Sequence, residues 1–148
     1  MLTENFSVSE VTFSSTAKKR GISNDIGEAE LRNALSLAEN VLQPLRDLAK
    51  VSIGVNSWYR SKELNTVLGG SKTSDHLTGR AADIVSGDGN NARLFCLLAE
   101  HFNFDQLIWE EGTDEQPAWI HVSFRSLSEN RNQILRYRNK RYENFVYK

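Results

Sequence analysis

Two stretches of the sequence carry residues that could bind a metal ion. SDHLTGRAAD, at residues 74–83, contains His76 and Asp83, and WIHVS, at residues 119–123, contains His121. Two histidines and one carboxylate leave a fourth position open, as in catalytic rather than structural zinc sites, and the same set also holds non-haem iron. Alternatively, His76 caps a turn, Asp83 forms a local hydrogen bond and His121 is an ordinary strand residue. The spacing leaves both interpretations open.

A turn must lie between His76 and Asp83 if both are to reach one ion. On a helix, seven residues would separate them by about 10.5 Å along the axis, which is a long reach for two short side chains. Gly79 and the polar residues before it argue against a helix. We therefore predict a loop carrying His76, a turn at Gly79 and a strand carrying Asp83, so that the chain folds back on itself.

The alternation of side chains along the predicted strands extends this site. In WIHVSF, His121 lies on the face opposite Ile120 and Val122, which look like core residues. The same alternation puts Asp83 on one face of RAADIV, and Gln106 and Glu110 on one face of DQLIWE. If these strands are neighbours, their polar faces together line one side of a sheet: Asp83, Gln106, Glu110 and His121.

The remaining pattern predicts an α+β fold. SND at residues 23–25 is a helix N-cap signal, and apolar residues at helical spacing follow it as far as Leu45, with Pro44 predicting a kink or break. Further helices are predicted at 61–70 and 90–102, and strands at 51–58, 80–86, 105–110, 119–124 and 132–139. The joins between the later strands are too short for parallel crossovers, which favours a largely antiparallel sheet of four to five strands flanked by helices. We expect a single domain over residues 1–148.

Composition excludes several classes of function. The chain has 148 residues and a net charge of −1, so we expect neither nucleic acid nor membrane as a partner. Its N-terminus lacks the features of a signal peptide, from which we expect synthesis in the cytoplasm. Cys96 is the single cysteine, which excludes an internal disulfide. Residues 125–148 carry a charge of about +5, which predicts a solvated last strand or tail, or else a basic patch near an anionic polymer.

Four motifs, taken in order, resemble one known family. WYRS (58–61), SDHLTGRAAD, FDQLIWE (104–110) and WIHVS are similar to the zinc D-Ala-D-Ala carboxypeptidases, especially small peptidoglycan peptidases of bacteria and their phages. The resemblance runs from about Phe6 to about Leu135. It implies the Hedgehog/DD-peptidase fold, a Zn²⁺ cofactor and hydrolysis of peptidoglycan stem peptides by an endolysin-like monomer. Such an enzyme would act at the cell wall after release by lysis, a pore or another export route.

The resemblance also implies individual roles. His76, Asp83 and His121 match the zinc ligands. Arg60 matches an arginine that holds the substrate carbonyl or the developing oxyanion, and Ser74 matches a serine beside the first ligand that contacts substrate or supports the site. The aromatic residues near these motifs either wall a substrate cleft or pack in the core: Trp58, Tyr59 and Trp119.

The sequence departs from the family at the catalytic acid/base. Many relatives carry this group three residues before the last histidine ligand, where this chain has Ala118. Glu110 is the best substitute because strand alternation puts it on the ligand face, and Glu111 and Glu115 are the alternatives. The departure leaves a second function open, a zinc-containing module that binds cell-wall peptides without cutting them.

Overall fold

The computed structural model describes residues 1–145 and contains a six-stranded sheet flanked by helices. The helices are α1 (Val8–Thr12), α2 (Ser15–Arg20), α3 (Glu28–Leu37), α4 (Gln43–Ala49), α5 (Lys62–Val67) and α6 (Asn91–His101), with a π-helical turn at Ala38–Leu42 and a 3₁₀ turn at Asp75–Thr78. The strands are β1 (Ile53–Ser57), β2 (Ala81–Ser86), β3 (Gln106–Glu110), β4 (Trp119–Ser123), β5 (Gln133–Arg138) and β6 (Arg141–Asn144).

The sheet is mostly antiparallel, which confirms the predicted fold class. Its strand order is β1-β2-β4-β3-β5-β6, and every neighbouring pair is antiparallel except β3 and β5. The parallel pair of β3 and β5 needs no helical crossover, because β4 already returns the chain before β5. The strand count was too low. Every residue of β6 is exposed, so no buried alternation marks it in the sequence.

The long N-terminal helix is interrupted near Pro44, as predicted. The π-helical turn widens the helix just before α4, and Pro44 lies in the first turn of α4, where its missing N–H is tolerated. The predicted N-cap at residues 23–25 was wrong, since α3 begins at Glu28 after Gly27. Asn24 instead makes tertiary contacts: its amide donates to the carbonyl of Tyr59, and its oxygen accepts from the N–H of Ser61.

Two short helices that the sequence patterns did not predict begin the chain. Ser7 and Glu10 form a capping box at the start of α1, and Gly21 ends α2 in the left-handed conformation. Phe6 packs edge-on against the ring of buried Trp58, with centroids 6.3 Å apart. Among the described residues, no helix has the length and apolar character needed to cross a membrane.

The two faces of the sheet differ as the alternation predicted. Leu107, Trp109, Ile120 and Val122 are buried in the core against the helices. Burying each such side chain contributes about 1.5–3 kcal/mol, so a one-residue slip in register would cost several of these contributions at once. The opposite face carries the polar residues of the candidate site.

The basic C-terminal segment is not simply solvated. Arg136 is only 7% exposed, pairs with Asp114 at 2.6 Å and lies over the ring of Trp109. Strands β5 and β6 of this segment belong to the sheet: β5 pairs along the whole of β3, and β6 forms the edge. Lys148, the last of the predicted basic residues, lies outside the described residues.

Candidate metal centre and cleft

Three predicted ligands converge on one face of the sheet. Asp83 on β2 is the direct cross-strand partner of His121 on β4, and Nδ1 of His121 lies 3.0 Å from Oδ1 of Asp83. His76 reaches the same carboxylate from the 3₁₀ turn, with Nε2 3.3 Å from Oδ2. One ligand atom from each residue lies within 4.8 Å of the other two, so the three residues could hold a metal ion.

The turn that delivers His76 depends on Gly79, as predicted. Gly79 has a φ of +77° and closes the 3₁₀ turn, and a Cβ at this position would collide with the carbonyl oxygen of Glu30. At the other end, the hydroxyl of Ser74 accepts a hydrogen bond from the backbone N–H of His76 at 3.2 Å. Glycine is thus required here both for its backbone conformation and for the close approach of α3.

Trp58 orients the first histidine. Nδ1 of His76 donates to the carbonyl oxygen of Trp58 at 2.6 Å, and Nε2 points toward Asp83. The Trp58 indole also donates to the carbonyl of Gly79 at 3.1 Å. A histidine ligand held through its other nitrogen has a fixed tautomer and ring direction, which is the arrangement typical of metal sites.

The two histidines keep the carboxylate of Asp83 ionised. Burial alone would raise the pKa of Asp83, but the charges and hydrogen bonds of His76 and His121 outweigh it and hold that pKa far below its usual range. Burial would lower the pKa of His121, and the hydrogen bond and charge of Asp83 raise it overall. The carboxylate is therefore ionised and lies between two imidazoles, as a cation site requires.

Arg60 lies directly behind the carboxylate ligand. Its Nη2 is 3.5 Å from Oδ2 of Asp83, its Nε donates to the hydroxyl of Ser57 at 3.0 Å, and its Nη1 lies 3.5 Å from Oδ1 of Asn65. Its backbone N–H donates to the carbonyl of His76 at 3.0 Å. The guanidinium is therefore anchored at the edge of the candidate metal position.

Glu110 ends β3 on the same face. Trp119 and Tyr137 are its cross-strand neighbours on either side, and Glu110 is only 8% exposed. Burial raises the pKa of Glu110 to about 7, and the charges of Asp83 and others add to the effect while His121 and Arg60 oppose it. A carboxyl with a pKa near neutrality can both accept and donate a proton at physiological pH.

A cleft of about 590 Å³ runs over these residues. Every predicted site residue lines it: Arg60, Ser74, His76, Asp83, Gln106, Glu110, Trp119 and His121. Of the alternatives for the catalytic base, neither Glu111 nor Glu115 lies among the described residues that line the cleft, and Ala118 does not either. Trp58 is completely buried and belongs to the core rather than to the cleft wall. Proximity does not test the individual roles, which stay predictions.

The C-terminal strands supply cleft residues that sequence reasoning missed. Gln133, Leu135 and Tyr137 of β5 face the cleft, together with Tyr142 of β6 and Arg131 before β5. The alternation of NQILRYR already puts the first three on one face. What the sequence lacks is any signal that β5 pairs with β3, since that contact joins strands separated by β4.

The fold and the buried His–Asp–His group define a metallopeptidase-like protein. The profile of the family described as peptidase M15 matches residues 4–123, and the chain belongs to that family. This match confirms the resemblance to the zinc D-Ala-D-Ala carboxypeptidases and supports peptidase activity. A comparison with curated proteins found no match. Strands β5 and β6 follow the matched residues.

Proposed function

We propose that this protein is a zinc-dependent peptidase that hydrolyses peptide bonds of peptidoglycan stem peptides, as an endolysin-like D-Ala-D-Ala carboxypeptidase or endopeptidase. The observation that carries the proposal is the convergence of His76, Asp83 and His121 beside a buried carboxyl, Glu110, in an open cleft. We further propose that the enzyme is a monomer that acts at the cell wall after release from the cytoplasm.

Zinc fits the residues present. Nitrogen and carboxylate ligands are those that zinc uses, and three protein ligands leave a position open for catalysis. The carbonyl of Trp58 fixes the tautomer of His76 that leaves Nε2 as a ligand. When bound, zinc would act as a Lewis acid that polarises a carbonyl and makes water more acidic.

The chain's own residues supply the proton transfers and the charge stabilisation. Glu110, in its ionised form, accepts a proton from the attacking water and delivers it to the leaving amine nitrogen. Arg60 donates hydrogen bonds to the oxyanion that develops on the former carbonyl oxygen. Its contacts to Ser57 and Asn65 hold the guanidinium in place before substrate arrives, which limits the reorganisation needed in the transition state.

Three predicted substrate contacts flank these groups. Gln106 donates to the side chain of Gln133 at 2.8 Å, which leaves the oxygen of Gln106 and the amide of Gln133 to pair with a peptide backbone. Ser74 lines the cleft beside His76, and Trp119 is the cross-strand partner of Glu110. The neutral hydrogen-bonding groups of Gln106 and Gln133, together with the indole of Trp119, suit an extended peptide.

Digestion of purified peptidoglycan with mass analysis of the products tests the proposal. We expect zinc-dependent release of fragments that is abolished by a chelator and restored by zinc. Loss of one terminal alanine would identify a carboxypeptidase, whereas cleavage within a stem peptide or cross-bridge would identify an endopeptidase. An unchanged wall after incubation with fully zinc-loaded protein would contradict peptidase activity.

Ala118 favours a second candidate function. Because Ala118 occupies the position at which many relatives carry the acid/base, the same site could hold zinc and wall peptide without cutting it. Sedimentation with insoluble peptidoglycan separates the two functions. A binding module would bind the wall through the cleft and release no fragment, and Glu110→Gln would leave that binding unchanged.

A further inference from the structure

A row of four side chains crosses the sheet beside the candidate metal centre. Glu110 pairs with Trp119 on one side and with Tyr137 on the other, and Tyr137 pairs with Tyr142 on the edge strand. Directly paired residues share a face of the sheet. The row therefore places the carboxyl of Glu110 between an indole and a pair of tyrosines, all of which line the cleft.

The two tyrosines present aromatic surface toward the cleft. Their ring centroids are 4.6 Å apart, with an angle of 49° between the ring planes. Tyr142 is 63% exposed, and its ring lies beside a polar site. The neighbours Arg138 and Arg141, by contrast, alternate to the opposite face.

We propose that Tyr137 and Tyr142 determine specificity by binding the long aliphatic side chain of the diamino acid in the stem peptide. The proposal rests on the proposed function and names the part of the substrate that this wall would contact. The methylene groups of such a side chain would cover the tyrosine faces, and the row begins at Glu110, so the bound residue would lie close to the scissile bond. Aromatic contacts of this kind are worth about 0.5–1.5 kcal/mol beyond the area that they bury.

The wall offers neutral ring faces rather than a charge. Burial raises the pKa of Tyr142, and the charge of Glu110 raises it further, so the phenol stays neutral. Neutral aromatic faces suit the methylene groups of an aliphatic side chain.

Two synthetic stem peptides test the proposal, one with its diamino acid intact and one with alanine in that position. Binding is measured by calorimetry on zinc-loaded Glu110→Gln protein, with and without a second change, Tyr142→Ala. We expect Tyr142→Ala to raise the Kd of the diamino peptide about tenfold, which corresponds to about 1.4 kcal/mol, and to leave the Kd of the alanine peptide unchanged within about twofold. Tyr142→Phe should bind both peptides as the parent protein does.

Phe13 provides a matched control, since it is also 63% exposed and is not among the described residues that line the cleft. Phe13→Ala should alter neither Kd. The proposal would be overturned if Tyr142→Ala weakened the binding of both peptides equally or of neither. It would also be overturned if the parent protein bound the two peptides equally or bound neither. Hydrolysis by the wild-type protein is measured separately, so selective binding without cleavage would reject the peptidase function and leave this inference standing.

Discussion

Asp83 and His121 are direct partners in the β2–β4 ladder, with Nδ1 of the histidine 3.0 Å from Oδ1 of the aspartate. Two of the three candidate ligands are therefore positioned by strand register. A one-residue slip between these strands would turn one ligand into the core and the other away from its partner. The burial of Ile84 and Ile120 on the opposite face opposes that slip. The packing of the core thus maintains the geometry of the site.

Loss of a ligand should abolish tight metal binding. We expect about one zinc per wild-type chain, and a more than about 100-fold loss of zinc affinity for His76→Ala, Asp83→Ala or His121→Ala, since changes to groups that merely support ligands already cost 10- to 100-fold. Competition with a chelating dye measures the affinity. His101→Ala is the control, because His101 is half exposed at the end of α6 and its ion pair is with Glu100. Full zinc occupancy in His121→Ala would reject the assignment.

Gly79→Ala should disturb the site through the backbone. A left-handed residue other than glycine costs about 1–2 kcal/mol, and a Cβ at this position would also collide with Glu30. Gly21→Ala is a matched control, since Gly21 has a φ of +65° with nothing near its Cβ position. Urea unfolding should show a larger loss of stability for Gly79→Ala, accompanied by weaker zinc binding. Equal losses in the two variants, with zinc binding intact, would show that the contact with α3 is unimportant.

Much of the site was predictable because strand alternation is a local property. The pattern of WIHVSF and DQLIWE put His121 and Glu110 on the polar face, and the glycine of SDHLTGRAAD indicated the turn that brings His76 back to Asp83. Each inference needs only the period of a strand or the backbone freedom of glycine. Long-range pairing between these strands was assumed, and the structure contains it.

The C-terminal wall was not predictable from the same patterns. β6 is exposed along its whole length, so no apolar alternation marks it, and β5 pairs with a strand that is not its neighbour in sequence. The charge of the segment suggested a solvated tail, whereas Arg136 is buried by its contacts with Asp114 and Trp109. Propensity and charge describe a residue's preferences, but these contacts depend on which elements meet in the fold.

Arg60→Ala should reduce turnover without removing the metal. We expect a fall of about 10²-fold or more in kcat at saturating zinc, as for loss of one oxyanion donor. Arg60→Lys should restore only part of this loss, because an ammonium group cannot reproduce the planar guanidinium and its contacts to Ser57 and Asn65. Arg32→Ala is the control, since Arg32 is largely exposed and pairs with Glu28. An unchanged rate in Arg60→Ala would make the arginine a structural residue only.

Glu110→Gln should separate binding from catalysis. Glutamine keeps the size of the side chain but cannot accept the proton, so hydrolysis should fall by about 10²- to 10⁴-fold while zinc and substrate still bind. In the wild-type protein the base must be ionised, so kcat/KM should decline as the pH falls. The pKa of about 7 is that of the metal-free site, and the positive charge of zinc favours the carboxylate, so the decline should begin at or below pH 7. Initial rates from pH 4 to 9 measure it.

The controls for this prediction are Glu111→Gln and Glu115→Gln, which alter carboxyls outside the described cleft lining and should leave both rate and pH profile intact. The residual activity of Glu110→Gln should also lose the acid limb, because the group that titrates has been removed. If Glu110→Gln cuts wall peptides at the wild-type rate with the wild-type profile, Glu110 is not the base. Loss of activity in Glu111→Gln alone would then move the role to the neighbouring carboxyl, whose left-handed backbone, with a φ of 50°, would have to turn to bring it into the cleft.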